Sequence, residues 1–356
     1  MTLYIGLIIF ILFLPFVLSI VFRNNVDSKC LVLSMIAIFV IMALKSTSVG
    51  RDTAGYERMY VSFFKANWNN YDLYWTEWGY ETLEMIFTHF FKFNFYQFVA
   101  SIYAFMCFSY YKFWKRYSSD YTLSIIIYIC FGSFVFDLSG VRNALAIAIF
   151  LLAVPYAEEK GLKNSIKYFV LVLIAAQIHH SAYVGILFFF FIKWAFPSIV
   201  YVISPFVILV LRPILFPIIK LISNKELSVE IQAGGNVIFY IMVLILPIIL
   251  GISWKNASVE TEEVVELFFQ SIAMQMRALY LGILLLLLAG TSTFNRIANF
   301  GLFFVTILLP NSLAFLKQSS RGIVKILLYL FLFSYFWIFK ISANELDFLP
   351  YIVNLR

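Results

Sequence analysis

The sequence predicts an all-α polytopic membrane protein, a single integral membrane domain over residues 1–356 with about 12 transmembrane helices (10–12). Three observations carry this. Of the 356 residues, 63% are hydrophobic and 13% charged, against roughly 45–50% and about 25% in soluble domains. The apolar runs are long and unbroken, where the strands of a transmembrane β-barrel would alternate apolar with polar residues. About a dozen helices of roughly 20 residues use roughly 240 residues and leave no room for a soluble catalytic domain.

Taken in order, the predicted spans begin with Thr2–Phe22 and Lys29–Ser46. The first lacks a basic leader and a small-residue cleavage site, so it reads as a retained helix and not a signal peptide. A long outer loop, residues 45–94, follows. Within it Tyr56, Met59, Tyr60, Phe63 and Phe64 recur at helical spacing, and Tyr80, Leu83, Phe87, Phe90 and Phe91 do so again. Both are expected to be amphipathic helices lying along the membrane interface, the second with Glu81, Glu84 and Lys92 mainly on its opposite side. Trp68, Tyr71, Tyr74, Trp75 and Trp78 form an aromatic patch between them. Next come Phe95–Trp114, Tyr121–Asp137, Val141–Ala157, Tyr168–His179, Ala182–Trp194 and Ser198–Leu215. A second outer loop, residues 217–236, leads to Val237–Trp254, Ser271–Gly290, Ile297–Leu316, Ile323–Lys340 and a short tail.

Charge sets the orientation. Lys and Arg total 26 against 19 acidic residues. This excess is the positive-inside pattern of a membrane protein and not a nucleic-acid footprint. Arg23, Lys29, Lys112, Lys115, Arg116, Lys160, Lys163, Lys167, Lys317, Arg321 and Lys325 fall in loops on one face, which is expected to be cytoplasmic. Cys30, Cys107 and Cys130 sit in or beside apolar runs as small hydrophobes, with no disulfide or metal spacing. Neither a Walker loop nor a Rossmann glycine string is present, so nucleotide-driven transport and hydride chemistry have no support, and no cofactor is expected.

Ionisable groups at the membrane boundary are expensive and default to function. Five strings stand out, all on the outer side. In Ser48–Tyr56, Gly50 permits a tight turn and Arg51 and Asp52 place opposite charges at the interface; Asp52 is a helix N-cap, a functional carboxylate, or both. In Thr76–Glu81, Glu77 stands among aromatic residues, as in a sugar-binding lining or an interfacial aromatic belt. In Asp137–Ala146, Arg142 lies one turn into an apolar helix, where it pairs with Asp137, snorkels, or binds a lipid diphosphate through two parallel hydrogen bonds. In Ile178–Ala182, the adjacent His179 and His180 favour chemistry over a structural role, and their divergent directions argue against a shared metal ion. In Phe294–Gly301, Arg296 repeats the logic of Arg142.

These strings, in this order, resemble the EpsG/Wzy family of bacterial polysaccharide polymerases. The resemblance is carried by Val49–Gly50–Arg51–Asp52 with Tyr56, Glu77 with Gly79 and Tyr80, Val141–Arg142 with Leu145–Ala146, His179 with Ser181–Ala182, and Arg296 with Phe300. Lys45 stands where the family usually has arginine, and Asn143 where it often has glutamine. Lysine offers a point charge and not a guanidinium fork.

The resemblance implies a glycosyltransferase-C-like membrane architecture in the bacterial inner membrane, with its active site facing outward. It also implies a reaction: a glycan on undecaprenyl diphosphate passes to a fresh lipid-linked repeat unit and the diphosphate departs. Membrane lipids and a separate chain-length regulator are the implied partners. Arg142 and Arg296 are then the cations for the growing diphosphate charge, His179 the candidate general base and Asp52 its rival or orienting group. Arg51, Glu77, Tyr56, Tyr80, His180 and Lys45 are the candidate substrate-binding residues. A lipid-linked oligosaccharide flippase or an O-antigen ligase is the alternative.

Overall fold

A computed structural model describes residues 1–66, 77–223, 240–246, 248, 262–289 and 292–354. The chain is helical, 81% helix, with no strand among the described residues. Among the described residues, six helices are long and apolar enough to cross a membrane, or seven if one bent pair counts as a single span. The chain is thus a polytopic membrane protein. The other predicted spans differ for local reasons. The aromatic residues Trp68, Tyr71, Tyr74 and Trp75, and most of the predicted Val237–Trp254 span, lie outside the described residues.

α1 (Thr2–Val21) and α2 (Val26–Ala43) are the first two spans. α3 (Thr53–Phe63) and α4 (Trp78–His89) are the two short helices of the predicted outer loop. α3 buries Tyr56, Tyr60 and Phe63, the face its spacing predicts. α4 buries Tyr80 together with Glu81 and Glu84, while Phe90, just beyond its end, is 78% exposed. α5 (Phe95–Tyr117) opens with a capping box, in which Asn94 accepts the Gln97 N–H and Gln97 accepts the Asn94 N–H.

Asp120 caps α6 (Tyr121–Cys130) by accepting the Leu123 N–H. The predicted Tyr121–Asp137 span is then broken. Gly132 adopts a left-handed φ of +93°, and α7 (Ser133–Ser139) leaves at 58° to α6. After α8 (Val141–Glu158) and α9 (Leu162–Ile178), a 3-10 turn over His180–Val184 shortens the predicted Ala182–Trp194 span to the nine residues of α10 (Gly185–Lys193). α11 (Ser198–Ser223) continues past Pro217, where the second loop was expected to start; residues 224–236 are not described. α12 (Glu262–Ala289), α13 (Ser292–Leu302), α14 (Val305–Ala314) and α15 (Gln318–Phe336) complete the chain, and α15 ends in a π-helical turn, Trp337–Ile341.

Two compact units are present, Met1–Ala153 with Phe169–Ala182 and Leu316–Arg356, and Val154–Tyr168 with Tyr183–Phe315. The first has a core of interlocked rings: Tyr4 meets Phe134, Phe348 and Tyr351 edge-on, and Tyr128 meets Tyr110, Trp114 and Phe134. Asp137 is buried beneath it and accepts hydroxyl hydrogen bonds from Tyr110 (2.9 Å) and Tyr128 (2.7 Å). It is therefore these tyrosines, and not Arg142, that answer Asp137. The three cysteines are buried and free.

The C-terminal tail is fastened to the first loop. Gly50 N–H donates to Asp347 O, Arg51 N–H to Leu346 O and Ser46 N–H to Ile352 O, while Lys45 pairs with Val353 in an isolated β-bridge.

In the second unit α12 and α13 cross through glycine. A Cβ on Gly301 would sit 2.6 Å from Ala278 O, and one on Gly282 2.8 Å from Leu302 N. Small residues let membrane helices approach at backbone distance. Gly301→Ala is therefore expected to cost about 1–3 kcal/mol by overpacking. It should lower the melting midpoint of detergent-solubilised protein, while Gly6→Ala, with nothing within 4 Å, leaves it in place.

Candidate functional site

Within the first unit, the start of α4, the start of α8 and the end of α9 converge on Glu77. Glu77 is the N-cap residue of α4, with an extended φ of −79° and ψ of 139°. Its carboxylate makes no capping hydrogen bond to its own helix and is taken up by other partners. Gly79, two residues on, lets the first turn of α4 lie against the end of α9; a Cβ there would be 2.6 Å from Gln177 Cβ. The chain leaves α9 into a 3-10 turn, and this presents the His180 N–H to Glu77 Oε1 at 2.9 Å. Arg142, in the first turn of α8, donates from Nη1 to Glu77 Oε2 at 2.8 Å.

The ion pair is largely shielded, the two side chains being 16% and 9% exposed. The guanidinium carbon lies 5.4 Å from the Tyr56 ring centre and 5.7 Å from that of Tyr80, so α3 and α4 each contribute an aromatic wall. Burial by itself would raise the Glu77 carboxyl. The His180 N–H, the Arg142 guanidinium and His179 outweigh it and hold the group below the ordinary glutamate value.

The two histidines differ. His180 is 70% exposed, with Nδ1 3.8 Å from Glu77 Oε1. His179 is half-buried, and its Nδ1 lies 2.7 Å from Ser181 Oγ and 3.2 Å from Ser181 N. Asn143 Nδ2 donates in turn to Ser181 Oγ at 2.7 Å.

Glu84, two turns further along α4 than Glu77, is fully buried, and neither carboxylate oxygen has a hydrogen-bond partner among the described residues. Burial pushes its carboxyl well above the ordinary value, against the pull of Arg142. Glu84, Asn143 and Ser181 were not singled out as site residues. Glu77, Glu81 and Glu84 stand at i, i+4 and i+7, so an acidic stripe on one helix face was the signal for Glu84.

The structure brings together Glu77, Arg142, His179, His180, Tyr56 and Tyr80. The other candidates make contacts of their own. Lys45 is 3% exposed and donates to Val49 O (2.8 Å) and Thr53 Oγ1 (2.7 Å). It braces the turn at Gly50, whose φ is +95° and whose Cβ would meet Leu138 O at 2.5 Å. Arg51 is 58% exposed and reaches Asp347 Oδ2 and the Glu345 carbonyl of the C-terminal tail. Asp52 is the N-cap residue of α3, yet its side chain makes no capping hydrogen bond; its N–H donates to Ser139 Oγ. Arg296 is half-buried on α13, in the second unit. Among the described residues, no group of three His, Cys, Asp or Glu side chains is placed to hold a metal ion.

The model of the EpsG family matches residues 28–353. No curated protein and no solved structure matches the chain.

Two predictions follow from the buried charges. Removing one partner of a shielded ion pair leaves the other unanswered and costs about 3–5 kcal/mol. Arg142→Ala and Glu77→Gln are therefore expected to destabilise far less in combination than the sum of the single changes, in a double-mutant cycle of thermal midpoints. Lys45, which stands beyond the end of α2, has its ammonium pushed down to about 7 by burial. The unfolded chain holds that proton up to the ordinary lysine range, so stability should rise as pH climbs from about 7 towards about 10. Melting curves across that window should show the rise in the wild type and a flatter profile in Lys45→Met.

Proposed function

The chain belongs to the EpsG family, a Wzy-type polysaccharide polymerase family, and we propose that it joins oligosaccharide repeat units carried on undecaprenyl diphosphate into a surface polysaccharide at the outer face of a bacterial inner membrane. The observation that carries this reading is the shielded Glu77–Arg142 pair between the Tyr56 and Tyr80 rings. It puts a held cation and aromatic surfaces at one place in a polytopic membrane protein. The apolar helices beyond the six clear spans would complete a glycosyltransferase-C-like bundle of about twelve crossings.

In this reaction the donor's C1–O bond to the diphosphate breaks and a bond from C1 to an acceptor hydroxyl oxygen forms. No nucleotide is needed, because the lipid diphosphate is already an activated leaving group. Negative charge grows on the departing diphosphate, so a cation fixed before the step stabilises the transition state more than the ground state. Arg142 meets that requirement: Glu77 and the two rings hold its guanidinium, so little reorganisation is left for the reaction. Arg296 is the second proposed cation. Glu77 and the tyrosines would bound the sugar, with His180 at the exposed rim, and Arg51 would contribute from the loop above. Of the two groups proposed to take the acceptor proton, Asp52 stands at the start of α3 with a carboxylate that does not cap the helix, and the Nδ1 of His179 is engaged by Ser181. Membrane lipids and a chain-length regulator are the proposed partners.

A strain lacking the gene, complemented with variants and read on a gel of surface glycan, tests the reading. At unchanged protein level, Arg142→Ala and Glu77→Gln should collapse long polymer to a single capping repeat. Normal polymer from Arg142→Ala would refute the role of the cluster. Loss of all surface repeats in the deletion strain would instead indicate a flippase, and free lipid-linked polymer a ligase.

A further inference from the structure

We infer that His179 serves this reaction as a hydrogen-bond donor through Nε2–H and not as a general base, and that Asn143 and Ser181 are the positioning residues that hold it in that state. The reaction is that of the polymerase reading; the geometry stands apart from it.

The argument starts from a backbone amide. Ser181 N lies 3.2 Å from His179 Nδ1 with its N–H directed at the ring. A backbone N–H, unlike a hydroxyl, cannot be turned about, so Nδ1 faces it with a lone pair. Ser181 Oγ lies 2.7 Å from the same nitrogen. Because Nδ1 is an acceptor, the hydroxyl must donate its proton there, which leaves its oxygen lone pairs free to accept. Asn143 Nδ2–H supplies that hydrogen bond at 2.7 Å. The direction Asn143 to Ser181 to His179 is thus set by one amide proton. Asn143 is 1% exposed and Ser181 9%, which keeps bulk water from competing for these atoms.

A neutral imidazole that accepts at Nδ1 carries its proton on Nε2. A base acting at Nε2 needs the opposite tautomer, with the proton on Nδ1, where it would point at the Ser181 N–H. The arrangement therefore suits donation. Asn143 is also the neighbour of Arg142 on the first turn of α8. One helical turn thereby orients two donor groups, the guanidinium through Glu77 and the imidazole through Ser181. A pair of N–H donors of this kind fits an oxygen gaining negative charge, for which the departing diphosphate is the match in the reaction above. The imidazole keeps its proton throughout. The acceptor's proton then goes to another group, with Asp52 the proposed one.

The test has a spectroscopic and a functional arm. In detergent-solubilised full-length protein labelled with 15N-histidine, two-bond 1H–15N correlations distinguish the tautomers, and the signal missing in His179→Gln assigns the residue. The wild type should show Nε2–H. Asn143→Asp should move the population towards Nδ1–H, because a carboxylate at 143 takes the Ser181 hydroxyl proton and turns the chain round. In complemented cells His179→Gln keeps an amide N–H near the Nε2 position but no base. It should retain polymer synthesis within about tenfold of wild type, while His179→Ala falls by about 10–100-fold, the worth of one hydrogen bond to a charged group. An Nδ1–H tautomer in the wild type would overturn the inference, as would a Gln variant as inactive as the Ala variant at equal protein level. A deletion strain that still made long polymer would sink the polymerase reading and leave the tautomer result standing.

Discussion

A carboxylate withdrawn from water has to be answered by donors, and the end of the first unit is organised around meeting that need for Glu77. One oxygen takes a guanidinium N–H from α8 and the other a backbone N–H from the turn after α9. Three segments far apart in the chain are therefore obliged to meet, and the approach they need leaves no space for a side chain at Gly79. An exposed pair of this kind would contribute little. A shielded one is weak evidence for stability, since desolvation offsets much of the attraction. Its consequence is definition: the Arg142 side chain is held by Glu77 and two aromatic rings, and that fixes a cation without leaving its charge bare.

Other charges in the same unit are dealt with differently, and the contrast isolates the site. Asp137 is surrounded by a ring core and answered by two tyrosine hydroxyls. The Glu84 carboxylate oxygens have no hydrogen-bond partner among the described residues, and burial pushes the carboxyl well above its ordinary value. Lys45 spends its donors on a carbonyl and a threonine hydroxyl and so braces the Gly50 turn against the end of α7. Each of these is held still or neutralised by its neighbours. The Glu77 cluster combines a full positive charge, a full negative charge and titratable rings in one place, and one of those rings, His180, is open to the surroundings. Electrostatic capability is thus concentrated at one end of the unit even though acidic and basic residues are scattered through it.

How much of this was legible in the sequence depends on whether the signal is local. The helical class, the two loop helices and the strings bearing Glu77, Arg142 and His179 were legible, because composition, 3.6-residue spacing and charge at apolar boundaries are local properties. The breaks within particular runs were not: hydropathy counts apolar residues, and it does not register that Gly132 bends one run by 58° or that a 3-10 turn shortens another. On α4 the stripe gave the helix but not its buried face: Tyr80 is buried together with Glu81 and Glu84, which an alternation of apolar and acidic residues does not specify. Asp137 was a nearer sequence neighbour for Arg142 than Glu77, yet the tyrosine hydroxyls claim it. The anchoring of Arg51 and Lys45 by the C-terminal tail depends on contacts across about 300 residues, which no local pattern encodes.

The departure at position 143 shows how a single residue can matter to such a site without touching a substrate. Asparagine at the third position of α8 is short, and from there its amide reaches the Ser181 hydroxyl. A glutamine at the same place is longer by one methylene, and to donate to that hydroxyl it would have to fold back within a fully buried space. The hydroxyl in turn is confined by its own backbone, since the Ser181 N–H and Oγ both face one ring nitrogen. Chain geometry, and not ring chemistry alone, therefore decides which edge of His179 bears the proton. On that view the histidine string and the arginine string act as one unit: the first turn of α8 sets the direction of the cation and of the imidazole together, and a change in that turn would disturb both donors at once.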